Sequence, residues 1–160
     1  MATIEIKFTF LKGDETFESI HEFFVDSGIE YEIDSHKDDL QDELGGDWDF
    51  DEFSIESYDE DFAHPKDFNT LDDYGAYVSL CEEFGEAYKL RFEDLGSLTQ
   101  REFEDYYIGC WDSEEEFAKD NCDDIPDRLY NYIDWEAYAK DLMYDYSSYE
   151  GDDGFHIFRD

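Results

Sequence analysis

Residues 99–111, Thr99-Gln100-Arg101-Glu102-Phe103-Glu104-Asp105-Tyr106-Tyr107-Ile108-Gly109-Cys110-Trp111, change their periodicity half-way along. Thr99 followed three residues later by Glu102 is a capping box, in which hydroxyl and carboxylate each satisfy an orphan N–H at a helix start. The spacing predicts a helix over about 100–106. Tyr107–Trp111 is then apolar and β-compatible. A capped helix that delivers a short strand is an α+β pattern.

Toward the C-terminus, Ser113 with Glu116 repeats the capping box and predicts a helix over about 114–120. Pro126 opens a turn or short helix, and Asp134 caps a helix through Trp135, Tyr138, Ala139 and Leu142. Phe155–Phe158 reads as a last strand. Toward the N-terminus, Phe84, Tyr88 and Phe92 suggest a short helix ending near Gly96. Thr70 with Asp73 caps another, whose face is Leu71, Tyr74, Val78 and Cys81. Ala63–Asp67 reads as a linker, because Pro65 lacks a donor and holds His64 extended.

Trp48, Phe50, Phe53, Ile55 and Tyr58 predict a strand with a bulge between Phe50 and Phe53. Ile4, Ile6, Phe8 and Phe10 alternate with polar residues as a half-buried strand until Gly13-Asp14. Phe17, Ile20 and Phe24 follow helical spacing up to Gly28. Ile29, Tyr31 and Ile33 alternate as a further strand, and Ser35 caps a short helix through Leu40 and Leu44. The expected fold is therefore α+β and elongated, with small sheet-plus-helix units at both ends and short helices between. Its divisions are 1–62, 63–100 and 101–160.

The chain has 160 residues, with 48 Asp+Glu against 11 Lys+Arg and a formal charge of −37. Such a surface repels nucleic acid, so its partners are basic surfaces or cations. High charge with low hydropathy also marks disorder. The 15 Phe, 13 Tyr and 3 Trp speak for a folded chain, since each packed ring buries roughly 150–250 Å². No apolar run approaches the roughly 18 residues of a membrane helix. Cys81, Cys110 and Cys122 are odd in number and show no CxxC spacing, so they read as small buried hydrophobes in a reducing cytoplasm.

The acids fall in fields. Asp38, Asp39, Asp42, Glu43, Asp47, Asp49, Asp51, Glu52, Glu56, Asp59, Glu60 and Asp61 form a run without Lys or Arg. Glu102, Glu104, Asp105, Asp112, Glu114, Glu115, Glu116, Asp120, Asp123, Asp124 and Asp127 form a second run, containing only Lys119. Asp134, Glu136, Asp141 and Asp145 extend it. An ordinary solvated face mixes both signs, because like charges at helical spacing destabilise. Fields of one sign imply a use, and the nearest chemical likeness is a nucleic-acid backbone. B-DNA carries one charge per roughly 1.7 Å of axis, so 37 charges match about 63 Å of duplex, or roughly 18 base pairs. The fields are the candidate surface for a DNA-binding protein. Crowding predicts raised carboxylate pKa values, with stability rising as pH falls from 7 toward about 5.

Enzymatic signatures are absent. Asp47-x-Asp49-x-Asp51 opens like a calcium loop, but Glu52 and Tyr58 occupy the positions of its glycine and bidentate Glu. His21, His36, His64 and His156 are far apart, with no HExxH and no zinc spacing. No GxSxG, P-loop or GxGxxG occurs. Neither a cofactor nor a dedicated metal ligand set is expected, beyond weak cation binding by clustered carboxylates.

Glu52–Asp59 resembles the acidic E-[YF]-x-I-x-D-Y-E stretch of the ArdA antirestriction proteins. Tyr107, Gly109, Trp111, Ser113 and Ala118 are similar to that family's Y-x-G-x-[FW]-x-S segment and following helix. Ile133–Leu142 and Phe155–Arg159 extend the likeness, which spans about residues 51–160, while the first 50 depart from it. The resemblance implies a cytoplasmic, non-enzymatic homodimer of a bacterial host that mimics bent B-form DNA. Its implied partner is the methyltransferase core of a type I restriction–modification enzyme, with no direct nucleic-acid or membrane contact. A CRISPR effector, another phage-defence complex or a nucleoid protein would offer the same charge logic, and a salt-adapted or cation-binding protein a different one. The short apolar stretch Tyr106, Tyr107, Ile108 and Trp111 is the expected dimer contact.

Overall fold

A computed structural model describes residues 2–122 and 125–160. It mixes 44% helix and 30% strand around two three-stranded sheets, the expected α+β class. Contacts divide the chain into two units, the first ending at Glu83 and the second running Phe84–Asp160.

In the first unit, β1 (Thr3–Lys12) and β2 (Glu15–Phe24) form an antiparallel hairpin. Lys12 pairs with Glu15 across Gly13-Asp14, where Gly13 takes a φ of +61° that a side chain would strain. β3 (Asp49–Tyr58) covers the other edge of β1, giving the order β2-β1-β3. The expected bulge is present: Thr9 faces Glu52 while Phe10 faces Phe50, leaving Asp51 as the extra residue. Ile4, Ile6, Phe8 and Phe10 form the buried row.

Two expectations fail here. Thr16–Phe24 is strand, not helix, because Phe17, His21 and Phe23 turn inward at every second residue. The Ile20 and Phe24 of the helical reading are more than half exposed. Conversely Ile29–Tyr31–Ile33 opens a helix, α1 (Ile29–Leu44), in which Ile29, Ile33 and Leu40 are buried and Tyr31 is 79% exposed. Ser35 therefore lies inside α1, and Gly28 is its N-cap rather than the end of a preceding helix.

Pro65–Asp67 forms one 3-10 turn with Pro65 buried. α2 (Leu71–Phe84) follows, and Thr70 Oγ1 accepts the Asp73 N–H as expected. The starts of α1 and α2 cap each other: Glu30 N–H donates to Asp72 Oδ1 at 3.0 Å, and Leu71 N–H donates to Glu30 Oε1 at 2.9 Å. Gly75 allows this approach, since a Cβ there would lie 1.8 Å from the Asp26 carbonyl oxygen. Tyr74, Tyr77, Val78 and Cys81 are buried along one face.

The second unit runs α3 (Glu86–Leu95), α4 (Gln100–Tyr106), β4 (Tyr107–Trp111), α5 (Glu114–Asp120), α6 (Asp127–Tyr130), α7 (Trp135–Leu142), β5 (Tyr146–Gly151) and β6 (Gly154–Arg159). Its sheet order is β4-β6-β5, both pairs antiparallel. The capping box of α4 is complete: Thr99 Oγ1 accepts the Glu102 N–H, and Glu102 Oε2 accepts the Thr99 N–H. Ser113 and Asp134 cap α5 and α7 through their side chains. Phe103 is buried between Phe84, Tyr107 and Phe158, with ring centroids 4.7–5.7 Å apart. β5 had no sequence reading, because Tyr146-Ser147-Ser148-Tyr149 carries little apolar alternation.

Candidate functional site

The first acidic field lies on three adjoining elements. Asp38, Asp39, Asp42 and Glu43 occupy the C-terminal half of α1, Asp47 the following turn, and Asp49, Asp51, Glu52 and Glu56 the strand β3. Asp59, Glu60 and Asp61 continue it into the loop. All are exposed except Asp59, which is half-buried and accepts the Asp61 N–H. Asp38 and Asp42, like Asp39 and Glu43, are one turn apart, about 6 Å along the helix axis.

In the second unit, Glu102, Glu104 and Asp105 lie on α4, Asp112 follows β4, and Glu114, Glu115, Glu116 and Asp120 lie on α5. Asp134, Glu136 and Asp141 belong to the cap and body of α7, and Asp145 precedes β5. Asp123, Asp124 and the Asp127 side chain lie outside the described residues.

The structure separates these carboxylates by what they already hold. Glu102 completes a cap, Asp134 caps α7, and Asp120 accepts Trp111 Nε1–H at 2.9 Å. Lys12, Lys37, Arg101 and Lys119 pair with Asp47, Asp38, Asp105 and Glu116. By contrast, the carboxylates of Asp39, Asp42, Asp49, Asp51, Glu60, Asp112, Glu136, Asp141 and Asp145 make no hydrogen bond or ion pair with other described residues. They remain free for an external cation or cationic surface.

A second pattern escaped the sequence reading. α1, α2, α3 and α4 end in Gln41-Asp42-Glu43-Leu44, Cys81-Glu82-Glu83-Phe84, Phe92-Glu93-Asp94-Leu95 and Phe103-Glu104-Asp105-Tyr106. Each last turn holds two adjacent acids and no base. The C-terminal end of a helix carries about −0.5 charge, so an acid there is disfavoured by roughly 0.3–1 kcal/mol. The dipole disfavours this placement at four helix ends, offset in part where Arg101 pairs with Asp105 and where Gln100 and Tyr149 donate to Glu104 and Asp94.

The outer face of the first sheet adds further acids. Glu18 and Glu22 of β2 join Glu5, Glu52 and Glu56 around Lys7, whose Nζ lies 3.3 Å from Glu56 and 3.8 Å from Glu18. The helical reading of β2 hid Glu18 and Glu22 from the site. The hydrogen bond to Glu56 leads the effects that raise the Lys7 pKa. Where carboxylates shift, the direction is opposite to the crowding expectation. Hydrogen bonds from Ser54 and Lys7 hold Glu56 below the usual range, and Thr99 does the same for Glu102.

The expected dimer residues divide as well. Tyr107 stacks on Phe103, and its OH lies 3.2 Å from His156 Nδ1. Trp111 packs on Phe117 at 4.8 Å and lies over Gly109, where a Cβ would sit 2.9 Å from its ring. Tyr106 is 44% exposed, and Ile108 is the extra residue at a register shift on the edge strand β4. The cysteines differ from expectation, with only Cys81 buried.

The family model of the ArdA antirestriction proteins matches residues 25–156. The chain belongs to this family. The ArdA match takes in α1 and β3, further toward the N-terminus than the motifs of residues 51–160 alone. No curated protein matches the chain. The family's role is antirestriction, directed at restriction enzymes. In this ArdA chain Gly109 and Trp111 pack against each other, and Ser113 and Asp134 cap α5 and α7. Among the described residues no helix is long and apolar enough to cross a membrane.

Proposed function

We propose that this ArdA protein inhibits restriction by presenting its carboxylates as the phosphates of B-form DNA. Its target is the DNA-binding groove of a type I restriction–modification methyltransferase core. The observation that carries the reading is the set of four helix ends with paired acids against the dipole. The helix dipole disfavours acids at these ends, whereas a basic DNA groove favours them. The free carboxylates Asp39, Asp42, Asp49 and Asp51 of the first unit, and Asp112, Glu136 and Asp141 of the second, are the foremost phosphate equivalents. The protein acts as a cytoplasmic homodimer through the exposed Tyr106 and the half-buried Ile108, without touching nucleic acid or carrying out chemistry.

The test is competition with duplex DNA for a purified methyltransferase core, repeated across salt concentrations. The inhibitor displaces duplex, and its affinity falls steeply as salt rises, as for any contact made by charge neutralisation. Replacing Asp39, Asp42, Asp49 and Asp51 by Asn weakens displacement by at least tenfold. Undiminished binding by a chain amidated in both fields overturns the reading.

A further inference from the structure

At one end of the second sheet, three elements converge on His156. Cys110 lies on β4, His156 on β6, and Asp153 in the Asp152-Asp153 turn that joins β5 to β6. One ligand atom from each of Cys110, Asp153 and His156 lies within 4.8 Å of the others. His156 Nε2 is 3.0 Å from Asp153 Oδ1, and Cys110 Sγ is 3.8 Å from the same oxygen. Glu86 of α3 adds Oε2 at 4.0 Å from Nε2, and that oxygen is oriented by the Asp152 N–H at 2.7 Å.

His156 supplies an independent sign of a ligand. Its side chain is 4% exposed, and its Nε2 has no hydrogen-bond partner. The Asp153 carboxylate is close enough but lies out of line with the ring N–H. A buried ring nitrogen left so is disfavoured. On the other side of the ring, Nδ1 meets Tyr107 OH at 3.2 Å. If Nδ1 carries the proton, Nε2 is left with a free lone pair beside Cys110 and Asp153, and a ligating histidine is fixed in this way by its second nitrogen. The backbone keeps the space open: a Cβ at Gly151 would lie 3.0 Å from His156 Nε2, and one at Gly154 would lie 3.0 Å from Cys110 Sγ.

We propose that Cys110, Asp153, His156 and Glu86 form a zinc site that clips β4 and the β5–β6 turn to α3. Thiolate, imidazole and carboxylate together suit a borderline-soft ion better than calcium or magnesium, which take oxygen alone. In a tetrahedral zinc site the ligand atoms are about 3.4–3.6 Å apart, so shifts of about 1 Å gather Cys110, Asp153 and His156 around an ion, with Glu86 reaching in from beside His156 as the fourth ligand. Binding displaces the Cys110 proton to solvent, and four protein ligands leave no open position, so the site is structural. Linear motif reading missed it because 45 residues separate Cys110 from His156.

Cobalt titration of the metal-free full chain tests this, with excess magnesium present to occupy the exposed carboxylates. Wild type takes up one cobalt per chain with a thiolate-to-metal charge-transfer band, and zinc displaces it. Cys110 is exposed, so Cys110→Ser keeps the fold, checked by circular dichroism, and loses the band together with at least tenfold in affinity. Asp153→Asn retains the band and weakens binding at least tenfold. Cobalt uptake without the band, or a band and affinity that survive Cys110→Ser, overturns the proposal.

Discussion

His21 and His36 meet with ring centroids 4.1 Å apart, beside Phe8 and Phe23, although 14 residues separate them in sequence. Burial, and then the neighbouring His36, lower the His21 pKa below 6.5, against a smaller opposing pull from Glu43. A histidine kept neutral by folding contributes stability that is complete above its unfolded pKa. That stability is lost as pH falls from about 6.5 through the lowered value. Glu102 and Glu56 have the same sign in a lower window, below the ordinary carboxylate pKa of 4.5. The first unit is thus expected to lose stability between pH 7 and 5 relative to a His21→Gln variant. Thermal midpoints of both chains, measured at equal ionic strength across that range, check this. Parallel curves would show that His21 does not set the dependence. None of this was legible in the sequence, where His21 falls in a strand read as helix and its facing of His36 on α1 is a tertiary contact.

At the scale of elements, the second unit was legible where polar side chains announce helix ends. Thr99, Ser113 and Asp134 each accept the N–H three residues on, and the helices begin where these residues place them. Residues 16–33 inverted because short windows carry both periods, while the helix read through Leu40 and Leu44 is present as the later part of α1. Phe17, Ile20 and Phe24 fit a helix face, and Ile29, Tyr31 and Ile33 fit a strand, until Leu40 extends the second pattern to helical spacing. The acidic last turns lead to a prediction of opposite signs. Asp42→Lys with Glu43→Lys places positive charge at the negative end of α1, and stability rises by roughly 0.3–1 kcal/mol per site. The same pair of changes weakens displacement of DNA from the target. Chemical denaturation and the competition assay, run on one preparation, separate the two effects. Loss of stability in the double variant would remove the dipole argument for these acids.

For the whole molecule, net charge points to a basic partner, but not to which carboxylates are free. That sorting needs the folded chain, because Asp120 looks no different from Asp112 or Glu136 until Trp111 Nε1–H is seen to hold it. The same holds for self-association. Tyr107 and Trp111 are committed to Phe103 and Phe117 within one chain, so Trp111→Asp damages the unit as well as any contact. Ile108→Asp, on the bulge of an edge strand, is the cleaner change. Wild type is expected to sediment as a dimer and Ile108→Asp as a monomer with an unaltered circular dichroism spectrum. A variant that still sediments as a dimer places the contact elsewhere. The free carboxylates have one more consequence. A groove that senses charge density has little means of telling aspartate from glutamate, or one exposed position from the next. Such a surface can drift rapidly while its lineage stays recognisable through Gly109, Trp111 and the caps beneath it. Under the proposed function, a host that evolves to escape the inhibitor must then change how it reads DNA itself.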